Sequence, residues 1–214
     1  GISHLAVLDG RLYASTTPKD NAPQLWMSDD GRAWQRIAGP QTNVPEQVNS
    51  SATKTVKVAT TVALSTFALH TSGPLSTSGP IPPRANQTTI YTIVWNVRDE
   101  GSAVAGGSMS ATLPSYVSYT GTTTGMGSFS YDTKSRTVSW NTGDLIQGGS
   151  AQGAFQVAIT PSTSQAGTAP SLTGEVSFSG YDRFAGVTVT ATADPATTET
   201  SQDPGYVPTN AIVQ

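Results

Sequence analysis

Two histidines, fourteen acidic side chains and no cysteine bound the chemistry open to this chain. Without cysteine there are no disulfides, thiol nucleophiles or thiolate zinc sites, and a zinc centre would need both His4 and His70 with carboxylates from remote segments. Carboxylates of the kind that flank a glycosidic bond occur at Asp99, Glu100, Asp132, Asp144, Glu175 and Asp182. Most of them fall in turn-like strings, where Asp is favoured because its side chain bonds the backbone just ahead. Serines are plentiful, but no Gly-x-Ser-x-Gly elbow sets one on a strained turn. No Asp-x-Asp-x-Asp-Gly run signals a calcium loop. Lys54 and Lys57, with Glu175, are the residue types of a Lys–Asn or Lys–Asp isopeptide crosslink, yet alternation turns Lys57 outward between Val56 and Val58. Trp26, Tyr116, Tyr119 and Tyr181 are rings that could face a sugar, although sandwich cores consume aromatic side chains as bulk. The residues therefore nominate no catalytic group, no cofactor and no metal ligand.

What positions these side chains follows from composition. The chain has 214 residues, 36% hydrophobic and only 12% charged, with 21 Gly and 14 Pro. Ser and Thr fill roughly a quarter of it, a mix that favours short strands and turns over helices. A net charge of −3 lacks the positive field that nucleic acids and anionic lipid surfaces require. No apolar run approaches the roughly 18 residues of a membrane span. Neither nucleic acid nor membrane insertion is expected, and scarce Lys and Glu beside abundant Thr points to an extracellular or cell-surface setting. The start, Gly1 to Leu8, lacks the order of a signal peptide, so either processing has removed one or the chain is a fragment. Two sequons, at Asn49 and Asn86, would permit N-glycosylation in a host with that machinery.

Residues 1–37 read as a small antiparallel unit of four strands: His4 to Leu8, Arg11 to Ser15, Gln24 to Met27 and Ala33 to Ile37. Asp9-Gly10, the Pro18 to Pro23 loop and Asp29-Asp30-Gly31 break them. Residues 38–53 form a linker or extended arm. From 54 to 195, period-two alternation marks about nine strands. In the best of them Tyr91, Ile93, Trp95 and Val97 face a core while Thr92, Val94, Asn96 and Arg98 face water. Val56 and Val58 lead into a strand over Val62 to Phe67, and Asp132 to Arg136 turns a hairpin. Pro80-Ile81-Pro82-Pro83 cannot join a central ladder, so it crosses between sheets or follows an edge. Residues 196–214 are a polar tail whose apolar end, Ala211 to Val213, is a frayed end or the start of a further element. No amphipathic helix is expected.

Five strings in order, "PIPPRANQTTIYTIVWNVRDEGS", "ATLPSYVSYTG", "YDTKSRTVSWNTGDL", "AFQVAITPSTSQAG" and "FSGYDRFAGVTVTA", span about 80–194. They closely resemble the conserved repeat domains of unknown function found in large prokaryotic surface proteins. The resemblance implies an immunoglobulin-like β-sandwich, tandem repeats in stalks or fibres, and no catalytic residue. It further implies that Trp95 and Trp140 anchor the core, that Leu113-Pro114 closes a strand, and that Asp144 sits in a turn. The first unit, about 4–37, resembles a single Asp-box or BNR-type propeller repeat through Ser28, Asp30, Gly31 and Trp34. That resemblance implies a hairpin turn braced by Ser and Asp, with Trp packed between blades. A lone blade leaves apolar faces and edges that need a partner.

The expected architecture is all-β: an immunoglobulin-like antiparallel sandwich preceded by a small antiparallel β unit. The expected role is a non-enzymatic structural module of a surface fibre, filament or stalk that self-associates, with strand addition from residues 1–37 and their linker, or from the 211–214 stub, as the expected mode. The alternative is a carbohydrate-binding or adhesive module, with glycans as partners.

Overall fold

Asp9 and Gly10 both adopt positive φ, 51° and 77°, the requirement of a two-residue hairpin turn matched to strand twist. In the computed structural model, which describes residues 2–17, 24–38 and 55–214, this turn joins β1 (Ile2–Leu8) to β2 (Arg11–Thr16). β3 (Gln24–Ser28) and β4 (Gln35–Ala38) continue an antiparallel meander in the order β1-β2-β3-β4. The chain divides into two units, Gly1–Lys54 and Thr55–Gln214. Residues 39–53 of the expected linker, Asn49 among them, and Lys54 lie outside the described ones.

The second unit is a sandwich of two antiparallel sheets. One consists of β5 (Val62–Leu69), β6 (Thr89–Asp99), β11 (Ser150–Ile159) and β8 (Val117–Gly125), in that order. The other runs β13 (Val187–Ala193), β12 (Val176–Asp182), β7 (Val104–Thr112), β10 (Thr137–Leu145), β9 (Ser128–Asp132). Among the described residues helix is confined to two short 3₁₀ turns, Thr163–Gln165 and Pro208–Ala211. Among the described residues no helix is long and apolar enough to cross a membrane. The fold is therefore all-β: an immunoglobulin-like antiparallel sandwich preceded in the sequence by a small antiparallel β unit.

Strand alternation builds the core. Tyr91, Ile93, Trp95 and Val97 are completely buried and meet Met109, Val138, Trp140 and Phe178 of the facing sheet. Four rings form its centre: Trp95 lies edge-on to Phe155 at 4.8 Å, and Phe129 stacks on Trp140 at 5.6 Å. Gly153 makes room for them, because a Cβ there would sit 2.7 Å from the Trp140 ring and 2.8 Å from the Phe129 ring.

Several expectations are corrected. Val56 and Val58 do not point into a core: they are 74% and 78% exposed, since the β5 ladder starts only where Val62 pairs with Asp99. Thr92 and Val94 do not face water. The β5–β6 connection lies over that surface, with Gln156 Nε2 donating to Ser76 O, while Val94 packs with Leu69 and Ala154. The Pro80 to Pro83 stretch joins two neighbouring strands of one sheet rather than crossing between sheets. Asp144 lies within β10, not in a turn. The 211–214 end is not frayed: Ala211 and Val213 are buried, Gln214 N donates to Pro83 O, and Ala85 N donates to Gln214 O.

If the ring layer sets the sheet spacing, Gly153→Ala should cost about 1–3 kcal/mol in chemical denaturation, the range for overpacking a filled core. An unchanged midpoint would mean that the rings can shift aside.

Candidate functional site

Buried charge must be paired or fully hydrogen-bonded, so the buried carboxylates show where the fold is most constrained. Asp99 ends β6 and Asp182 ends β12, strands of opposite sheets, and both are fully buried. Thr60 joins them. Its hydroxyl donates to Asp99 Oδ1 at 2.5 Å and its backbone N–H donates to Asp182 Oδ2 at 2.7 Å. Asp99 also accepts from Gly148 N at 3.0 Å and Gly101 N at 3.2 Å. Asp182 accepts from Phe184 N and Ala185 N at 2.7 and 2.9 Å. The N–H groups of Ala185 and Thr60 hold the Asp182 carboxyl below its ordinary value against the opposing effect of burial, with Phe184 and the Lys57 charge adding to them.

A third carboxylate fastens the C-terminal segment. Burial alone would raise Asp203, but the Ser72 hydroxyl and the N–H groups of Thr71, His70 and Ser72 outweigh it and keep the carboxyl below its usual range. Their distances run from 2.5 to 3.0 Å. Beside it the His70 ring lies edge-on to Tyr91 at 5.6 Å, and burial, with the Asp203 charge, pushes the Tyr91 phenol up.

In the first unit, the Ser28 hydroxyl accepts from Gly31 N at 2.8 Å, and Asp30 Oδ1 accepts from Arg32 N and Ala33 N at 2.8 and 3.0 Å. Those backbone donors of Ala33 and Arg32 lower the Asp30 carboxyl. Gly31 takes φ 72°, which a residue with a side chain rarely adopts. Trp34, half-buried, follows the turn.

The remaining candidates disperse. Asp132 braces its hairpin through Lys134 N and Ser135 Oγ, both at 2.9 Å, and Asp144 accepts from Gly106 N while pairing with Arg183 at 2.7 Å. Glu175 is exposed on an open depression of about 410 Å³ along β5 and β13, with Asp194 on the same rim. Lys57 lies 5.2 Å over the Phe184 ring, at the Asp182 end of β12, whereas Glu175 precedes the other end. Seven strand residues, about 23 Å, separate those ends, so Lys57 and Glu175 are not brought together. Lys54 lies outside the described residues, as does Asn49; Asn86 is exposed at φ 59°. His4 and His70 belong to different units. Among the described residues no three His, Asp or Glu side chains gather as a metal site.

The rings named as candidates for a sugar face have the following surroundings. Trp26 Nε1 donates to Thr16 Oγ1 in the first unit, Tyr116 donates to Ser171 O, Tyr119 stacks on Tyr131 at 4.9 Å, and Tyr181 stands 47% exposed on β12. Trp95 and Trp140 are fully buried, with Trp140 Nε1 donating to Met126 O at 2.7 Å. Sequence reasoning missed Thr60 and Asp203. Asp203 falls in the stretch read as a polar tail, and Thr60 is one threonine among many.

No family model and no curated protein matches the chain. Among solved structures, similarity is found to the major pilin subunit of Bacillus cereus, at 9% identity over 81% of this chain and 54% of that one, with a TM-score of 0.41. The full-length major pilin of Corynebacterium diphtheriae gives 10% identity over 87% and 44%, with a TM-score of 0.41. A glycoside hydrolase family 20 exo-β-N-acetylglucosaminidase of Vibrio harveyi gives 10% over 62% and 18%, at 0.31. The chain spans about half the length of these proteins or less, and likeness at this level fixes neither function nor assembly.

Two outcomes test the braces. Thr60→Val should lower stability by about 1–3 kcal/mol, the cost of leaving a buried acceptor short of a donor; an unchanged denaturation midpoint would count against the clasp. Because Asp182 and Asp203 titrate below their ordinary value, their contribution is present above the unfolded carboxyl pKa, near 4, and is lost as pH falls through the folded value. Unfolding free energy should therefore drop below about pH 4, with a shallower drop in Asp182→Asn and Asp203→Asn. Stability that rises on acidification would contradict this assignment.

Proposed function

We propose that the chain is a non-enzymatic structural module of an extracellular fibre, filament or stalk, assembling by β-strand addition between subunits. The observation that carries this reading is the state of the first unit. Among its described residues Ala14 is the one apolar side chain that is buried, while Ile2, Leu5, Val7 and Leu8 are each at least 60% exposed. A four-stranded sheet without a core of its own requires a partner surface. Strand addition supplies one: main-chain hydrogen bonds provide affinity, and alternate side chains provide register.

The second unit supports the same reading from the other direction. Its fully buried carboxylates hold backbone N–H groups and loops, and its depressions are open and shared by no histidine. A rigid sandwich of this kind is suited to carrying load or displaying what is attached to it.

Deletion of residues 1–53 tests the proposal. The full chain should gain mass with concentration in sedimentation experiments, and the truncated chain should stay single at the same concentrations with its β circular dichroism retained. Unchanged association of the truncated chain would remove the first unit from any part in assembly.

A further inference from the structure

Among the described residues β1 is an edge strand with few of the usual defences against another strand. Edge strands are commonly guarded by charge, proline, brevity or bulges. Ile2–Leu8 contains no Lys, Arg, Asp, Glu or Pro, and all seven residues are exposed. Its one register irregularity, between Ile2 and His4, lies at the very start. The far edge of the same sheet, β4, is only four residues long and carries Arg36. On the edge strands of the sandwich, β5, β8, β9 and β13, Val187 is the only large apolar side chain that is exposed.

We propose that β1 pairs antiparallel with β1 of a second copy about a two-fold axis at Leu5, joining two four-stranded sheets into one of eight strands. The proposal rests on the strand-addition reading and names the strand and its partner. Register follows from overlap. With the axis at Leu5 all seven residues are paired: Leu5 meets Leu5, Ser3 meets Val7, His4 meets Ala6 and Ile2 meets Leu8. Moving the axis to Ala6 or His4 leaves residues at both strand ends unpaired.

Charge permits a self-contact here. Two copies of a charged strand repel, whereas β1 carries one titratable group, His4, which in this register lies opposite Ala6. The partner surface is self-complementary by construction, as a two-fold contact requires, and the contact closes at two copies rather than propagating. It would thus tie two stalks or filaments together side by side. A seven-residue edge covers less than the roughly 800 Å² per partner of a standard interface, so affinity in the micromolar range is expected.

The chain has no cysteine, so a single introduced thiol reports the pairing cleanly. Facing Cα atoms in an antiparallel pair lie about 4.5–5.5 Å apart, within the span of a disulfide. In the full chain at about 100 μM, well into the range of a weak interface, mild oxidation of Leu5→Cys should give at least fivefold more disulfide dimer than Val7→Cys. Mixing Ser3→Cys with Val7→Cys should restore crosslinking. Sedimentation of the unaltered chain, run alongside, separates the possible failures. If the chain self-associates but Leu5→Cys crosslinks no better than Val7→Cys, β1 self-pairing is wrong and strand addition survives through another edge. If the chain stays single throughout, both readings fall. If Leu5→Cys resists a maleimide probe at every concentration, another part of the same chain covers β1, which also overturns the proposal.

Discussion

A carboxylate removed from water must find donors, and the sandwich is organised around meeting that demand at its poles. Thr60 is the residue on which the arrangement turns. With one hydroxyl and one N–H it satisfies acids from both sheets, Asp99 at the end of β6 and Asp182 at the end of β12. That double contact fixes where β5 begins, how the two sheets align at this end, and how the loops at Gly148 and Phe184 close over it. At the start of the β5–β6 connection Asp203 draws the C-terminal segment onto the N–H groups of His70, Thr71 and Ser72. Asp99, Asp182 and Asp203 are thus all committed to backbone N–H and hydroxyl donors.

Between the poles, shape rather than charge governs. Gly153 sits opposite Trp95 in the β6–β11 ladder, and the space left by its missing side chain admits the Phe129 and Trp140 rings from the facing sheet. The C-terminal residues complete the packing: Leu172 and Thr173 donate to Ala196 O, and Thr198 Oγ1 donates to Ala211 O. The sandwich therefore buries its rings and its chain end together, whereas among the described residues of the first unit Ala14 is the one apolar side chain that is buried.

What could be read beforehand was what depends on near neighbours. Period-two alternation exposed β6 and its buried row from Tyr91 to Val97, because each side chain's face follows from its own backbone. The resemblance to an Asp-box repeat pointed to Ser28, Asp30 and Gly31, whose bonds span two or three residues. Thr60 and Asp203 were invisible for the opposite reason: Thr60 meets Asp182 across 122 positions, and Asp203 meets His70 across 133. Val56 and Val58 misled because alternation records a preference for extended backbone, not the presence of a ladder partner. The outer face at Thr92 and Val94 looked solvent-facing because nothing local announces a loop that folds over it.

These contrasts set a sandwich whose buried carboxylates are held by several donors each beside an edge strand whose outer side is open. Amide hydrogen exchange, read strand by strand at two protein concentrations, distinguishes them directly, since it reports local opening rather than average structure. The account predicts slow exchange at Thr60, Gly148, Phe184 and Ala185 at both concentrations, and slowing within Ile2–Leu8 only at the higher one. Equal exchange of Ile2–Leu8 at both concentrations, or new protection confined to the sandwich edges, would contradict it.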